Sequence, residues 1–152
     1  MNINPKTDDK KSLMLKGMSL MVINESKENY LESILIIKNR NSYVRSIDIA
    51  HELSFTKASV SVAMKAFREQ NYITVDENGG IELTEKGLEI AERVYERHQI
   101  IAQALIALGV NETTAYSDSC KIEHDISEES FEAIKTHLSK YGAGTQQKGD
   151  EQ

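Results

Sequence analysis

One cysteine, one proline and no tryptophan occur in 152 residues. A single cysteine, Cys120, closes no disulfide within the chain, which excludes the disulfide-stapled secreted class and makes a reducing cytoplasm the expected setting. Three phenylalanines and six tyrosines leave aliphatic side chains to build the core. The lone proline, Pro5, falls in residues 1–23, which show no sustained period and read as a flexible N-terminal tail. No bilayer-spanning run is present. The longest apolar stretch near the start, "LMLKGMSLMVI", is broken by Lys16 and preceded by "DDKK", and no small-residue cleavage site follows it. No membrane partner is expected. An excess of basic charge is also lacking, since the net charge is −6. Its distribution is uneven: between Ser42 and Gln70, Arg45, Lys57, Lys65 and Arg68 outnumber Asp48, Glu52 and Glu69, while the acidic excess lies beyond Glu112. A middle segment near neutrality is compatible with facing DNA.

What is present is a succession of short periodic segments. "NESKENYLESILIIKNRN" offers Asn24 or Ser26 as a cap, and a helical face of Tyr30, Leu31, Ile34, Leu35 and Ile37 or Lys38. In "VRSIDIAHELSFTKASVSVAMKAFREQNYI", Ser46 is the expected N-cap of a helix whose inner face is Ile49, Ala50 and Leu53. "SFTK" breaks it. A second helix starts near Lys57 or Ala58, with Val60, Ala63, Met64 and Phe67 on one side. Two short amphipathic helices about a tight turn match a helix-turn-helix, and small Ala50 permits a close crossing. "NYITVDENGGIELT" changes to period two around a turn-forming "ENGG", which predicts a β-hairpin, the wing. Thr84 then caps a long helix striped by Leu88, Ala91, Val94 and Tyr95 and stopped by Gly109. Two more helices are expected over Glu112 to His124 and Glu128 to Tyr141, the latter capped by Ser127, before the tail "GAGTQQKGDEQ".

The fold class is therefore mainly α with a small β-hairpin: a winged helix-turn-helix domain over 24–92, an all-helical domain over 93–142, and a disordered tail over 143–152. In a winged helix-turn-helix the second helix enters the major groove. Its outward residues here are Ser59, Ser61, Val62 and Lys65, with Thr56 and Lys57 at the N-terminal edge. Hydroxyls and N-terminal amides donate to phosphates, Lys65 adds charge, and the Val62 methyls can meet thymine. No Arg, Asn or Gln occupies the middle of this face for bidentate base contacts, so DNA shape and the wing are expected to carry much of the specificity. The same elements also suit a plain α+β fold with a solvated face, or a protein-interaction module.

"CKIEHDISEE", from Cys120 to Glu129, is the stretch with coordination chemistry in it. On a helix Cys120, Glu123 and His124 stand at i, i+3 and i+4, which gathers a thiol, a carboxylate and an imidazole on one face. By itself this also fits a small buried cysteine beside solvated polar residues. His98, on the long helix that must pack against it, and the pair Asn29 and Glu32 on the first helix add donors.

"ENYLESILII", "SIDIAHELSFTKASVSVAMKAF", "IELTEKGLEIAERVYERHQI" and "YSDSCKIEHDIS" together resemble the diphtheria toxin repressor (iron-dependent repressor) family, in its short, manganese-transport-regulator-like branch, over about Glu28 to Tyr141. The resemblance implies a homodimeric, metal-dependent repressor that binds double-stranded operator DNA, acts on no small-molecule substrate, and has a second domain for dimerisation and most metal ligands. It also implies no additional small barrel domain of the kind found in longer iron-sensing members. The ligands it implies are Asn29, Glu32, His98, Cys120, Glu123 and His124. Asn29 replaces the methionine of the iron branch and the aspartate of the manganese branch, Cys120 follows the iron branch, and Glu32 the manganese branch. Ala102 and Tyr116 stand where iron-type members place ancillary ligands, so that second site is expected to be absent. Oxygen and imidazole donors suit Mn2+, whereas a thiolate shifts preference toward Fe2+, Co2+ or Zn2+. The expected ion is Mn2+ or Fe2+, with Co2+ or Zn2+ as further occupants. The sequence also admits three rivals: a metal-free or redox-responsive winged-helix regulator, a metallohydrolase, and the interaction module. No HExxH-type pair or substrate-shaped loop supports the hydrolase, and no enzyme is expected.

Overall fold

The computed structural model describes residues 25–142. The expected tails at 1–23 and 143–152, and the cap position 24, lie outside the described residues. The chain divides into two compact units, with the division after Ala91.

In the first unit, helix α1 runs over residues 25–41 and buries Tyr30, Leu31, Ile34 and Ile37, the spacing of one helical face. Ser26 lies inside the helix rather than capping it. Ser42 (φ 60°) ends α1 in the left-handed region, its N–H donating to Lys38 O at 2.9 Å. Val44 follows as extended chain, and its carbonyl accepts from Ile81 N–H at 2.8 Å. Helix α2 spans Ser46–Leu53, and its N-cap is Arg45, not Ser46. Arg45 is extended (φ −122°, ψ 160°) and its N–H donates to Asp48 Oδ2 at 2.8 Å. The carboxylate three residues on fixes the start one residue earlier than the serine does.

Ser54 (φ 55°) closes α2, and α3 spans Lys57–Glu69, capped by Thr56, whose Oγ1 accepts from Ser59 N–H at 3.2 Å. Ile49 and Ala50 of α2 and Val60, Met64 and Phe67 of α3 join the buried core, while Ala63 is half-buried. Strands β1 (Ile73–Val75) and β2 (Ile81–Leu83) pair antiparallel with Ile73 opposite Leu83 and Val75 opposite Ile81. The turn between them is organised by Asp76, whose Oδ1 accepts from Asn78 N–H and Gly80 N–H, both at 2.8 Å. Gly79 supplies the positive φ this turn requires, +80°. Thr84 Oγ1 accepts from Gly87 N–H at 3.2 Å and so caps α4, Glu85–Ala107. Gly87 packs directly on the chain leaving α3: a Cβ there would lie 2.1 Å from Tyr72 O.

In the second unit α4 stops at Gly109 (φ +96°), whose N–H donates to Ile106 O at 2.9 Å. Helix α5 spans Glu112–Ile122 with Asn111 as cap, and α6 spans Glu128–Tyr141 with the expected Ser127 cap. Of the α4 stripe, Ala91 and Val94 are buried, and Leu88 and Tyr95 half-buried. Helix α5 ends two residues before the expected His124, and Glu123 to Asp125 form a turn. No helix among the described residues is long and apolar enough to cross a membrane.

Candidate functional site

The outward face of α3 follows from its buried one. With Val60, Met64 and Phe67 turned inward, Thr56, Lys57, Ser59, Ser61, Val62 and Lys65 are all exposed, Val62 at 73%. Thr56 and Ser59 are mutually ordered: Thr56 Oγ1 takes the Ser59 amide hydrogen and donates its own to Ser59 Oγ at 2.8 Å. The Ser59 hydroxyl hydrogen must then point away from Thr56, which suits it to an acceptor such as a phosphate oxygen. In the sequence Arg45 is one of four basic residues between Ser42 and Gln70. The structure puts its guanidinium 5.4 Å from the Tyr43 ring, and the Tyr43 hydroxyl donates to Asp76 at 3.3 Å. A cation thus stands beside the wing's turn. An arginine two residues after an exposed tyrosine was the available signal. The Asp76 carboxyl is held below the usual carboxylate range, chiefly by the Gly80 N–H it accepts.

The second cluster lies within the second unit. His98 comes from α4, Cys120 from the last turn of α5, and Glu123 from the C-cap, whose helical dihedrals (φ −58°, ψ −31°) keep it near the Cys120 face. One donor atom from each of these three residues lies within 4.8 Å of the others. The His98 ring is oriented by the backbone: its Nε2 is 3.0 Å from the Tyr116 carbonyl oxygen. A carbonyl only accepts, so Nε2 carries the hydrogen, and Nδ1, 3.7 Å from Cys120 Sγ, is the nitrogen whose lone pair could ligate an ion. That separation is close to the ~3.6 Å between a sulfur and a nitrogen bound tetrahedrally to one ion. Glu123 is 4% exposed, a burial that carboxylates accept when paired or metal-bound. The donor set of one nitrogen, one sulfur and carboxylate oxygen fits a divalent transition metal.

His124 stands on the turn, outside this three-residue cluster, with Nε2 3.5 Å from Glu123 Oε1. Asn29 and Glu32 belong to the first unit, on α1; Asn29 is half-buried and Glu32 is 4% exposed. Ala102 is fully buried, and the Tyr116 hydroxyl donates to Gln99 Oε1 at 3.1 Å. The Tyr116 carbonyl that orients His98 was invisible to sequence reasoning, because a backbone acceptor has no residue signature.

Two family models match in succession. The iron-dependent repressor N-terminal DNA-binding domain covers residues 23–81, and the iron-dependent repressor metal-binding and dimerisation domain covers residues 84–143. The chain belongs to the iron-dependent repressor family. Within that family's wider circle, an uncharacterised helix-turn-helix transcriptional regulator of Methanocaldococcus jannaschii is 34% identical over 121 residues, which is 78% of this chain and 97% of the relative. The transcriptional regulator MntR of Geobacillus thermodenitrificans is 35% identical over 109 residues, 72% of this chain and 77% of MntR. Among solved structures the manganese regulator SloR superposes with a TM-score of 0.64 at 25% identity. That match takes in 74% of this chain and 53% of SloR, so the chain spans about half the length of that solved relative. The three-donor cluster and the α3 face fall respectively in the segments matched to the family's metal-binding and DNA-binding domains.

Proposed function

We propose that this protein is a cytoplasmic, homodimeric, metal-dependent transcriptional repressor without catalytic activity, which binds operator DNA when it holds a divalent ion and so controls metal-homeostasis genes. The observation that carries the reading is the gathering of His98, Cys120 and Glu123 donor atoms within 4.8 Å in the segment matched as metal-binding domain. His124, against Glu123, is assigned to the same ion. Asn29 and Glu32 are assigned to it on the family resemblance. The ion is Mn2+ or Fe2+, with Co2+ and Zn2+ also accommodated by a thiolate-containing set. Cys120 ligates as thiolate, so binding releases a proton and strengthens as pH rises.

Thr56, Lys57, Ser59, Ser61, Val62 and Lys65 are the DNA-facing residues, all exposed on or at the start of α3. For the second copy, the second unit offers an apolar groove of about 480 Å³ between the end of α4 and α6, lined by Ala104, Leu108, Ile134, Leu138 and Tyr141. Leu108 is 81% and Tyr141 66% exposed, which is unfavourable for a lone subunit and natural for a dimer face. A dimer presents two α3 helices to half-sites one helical turn apart, ~34 Å. Metal and operator then favour the same conformation, a coupling of about 1–3 kcal/mol.

The test is operator binding, by gel shift, of wild type, Glu123→Ala and His124→Ala with each metal at controlled free concentration. The variants are expected to lose the metal response while sedimenting as dimers. A variant that responds to metal like wild type overturns its assignment.

A further inference from the structure

Arg97 precedes His98 on α4, and its side chain is only 13% exposed. Its Nη2 donates to the carbonyl oxygens of Glu123 and Ile126, both at 3.2 Å, and its Nη1 donates to Glu128 Oε2 at 2.7 Å. The guanidinium carbon lies 4.6 Å from the centre of the Phe131 ring, which is 3% exposed. These contacts converge on the turn between α5 and α6 and on the first turn of α6 that follows it. Carbonyls at a helix C-terminus lack intrahelical donors, and a cation there also meets the negative end of the helix dipole. A planar guanidinium satisfies two carbonyls and a carboxylate at once while stacking on a ring, which a lysine ammonium cannot reproduce.

The consequence lies in the neighbouring residue. His98 supplies a donor nitrogen from α4, and Arg97, on the same rigid turn of that helix, grips the backbone of Glu123, which supplies a carboxylate. We propose that Arg97 is a positioning residue for metal binding: it ties the Glu123–Ile126 turn to α4, so the carboxylate is held against His98 and Cys120 before an ion arrives. It touches no ion itself. The inference rests on the metal reading above and adds to it a determinant of affinity outside the ligand set.

The experiment is Co2+ titration of the full-length wild type, Arg97→Lys, Arg97→Gln and Glu128→Gln, read by sulfur-to-cobalt charge-transfer and ligand-field absorption. Metal-free thermal unfolding is followed in parallel. Wild type is expected to show both bands. Arg97→Gln is expected to bind 10–100-fold more weakly, the range for residues that orient ligands, with an altered ligand-field spectrum and the Cys120 charge-transfer band retained. Arg97→Lys should fall between the two, and it carries the test if the glutamine variant does not fold. Glu128→Gln, whose side chain is 72% exposed, should stay within about fivefold of wild type, as expected for a surface ion pair. Wild-type affinity and spectrum in both Arg97 variants, whatever their melting temperatures, would overturn the positioning role while leaving the metal site standing. Absence of both bands in wild type would remove the metal reading and this inference together.

Discussion

Among the described residues, thirteen buried apolar side chains, from Tyr30 to Ala91, form one continuous cluster in the first unit. The second unit buries Val94, Ile101, Ala102, Ala115 and Phe131, two of them alanines, together with Ser119 and Glu123. Each fully buried aliphatic side chain contributes about 1.5–3 kcal/mol. The first unit therefore has a core able to hold its shape unaided, and its proposed DNA-facing residues sit on an exposed face that costs the core nothing, although it too buries a carboxylate, Glu32. The second has a thin core, and its apolar groove is lined by Leu108 and Tyr141, 81% and 66% exposed. Its missing stabilisation is of the kind that an ion and a second copy supply, since whatever binds the native state alone stabilises it by mass action. The reader is built by burial; the sensor is built to be completed.

Changes aimed at this contrast should differ in size and in place. The largest effect is expected from Leu108→Glu, which puts a charge on the proposed dimer face. Sedimentation equilibrium should show the dimer converted to monomer and operator binding lost, with helical circular dichroism retained; an unchanged dimer would move the interface elsewhere. Truncation of the two cores comes next. Ile34→Ala should cost ~2–5 kcal/mol in denaturant unfolding, with Ile101→Ala at the low end of that range, because a thinly packed site relaxes more readily around the cavity. Equal costs would contradict the difference in packing. Gly87→Ala forces a methyl against Tyr72 O and should cost ~1–3 kcal/mol, confined to the wing and the start of α4 in hydrogen exchange. The smallest effect concerns Asp76. Its folded pKa is depressed, so the stabilisation it gives the wing's turn is fully present above the ordinary carboxylate pKa. It is lost as pH falls below that value, through the depressed one. The Gly80 amide resonance should report this loss in wild type, and in Asp76→Asn it should not titrate.

Much of the first unit was legible because its signals are local. Tyr30, Leu31, Ile34 and Ile37 repeat with the period of a helix, "ENGG" interrupts a period of two, and Thr84 precedes the helix it caps, as Ser127 does in the second unit. Where reading failed, the deciding partner lay outside the pattern that was read. Ser46 lost the cap of α2 because Asp48 reaches back to the Arg45 amide. The end of α5 was placed at His124, whereas the helix gives way after Ile122, where Arg97, 26 residues away in sequence from Glu123, takes up the turn's carbonyls. Ser119, which no pattern in the sequence singles out, is fully buried and its hydroxyl donates to Tyr116 O at 2.9 Å. In the candidate site the residue types were visible from "CKIEHD" and the family resemblance. The orientation of His98 by a backbone carbonyl, and the departure of His124 from the helical face, required the fold.

The proposed function makes DNA recognition conditional on metal. Selection of the full-length protein against a pool of random duplexes, run in parallel with free Mn2+ or Fe2+ and with chelator, tests this directly. The expected result is a two-fold symmetric motif, half-sites one helical turn apart, enriched with metal and absent with chelator. Enrichment of the same motif to the same degree in both pools would contradict it.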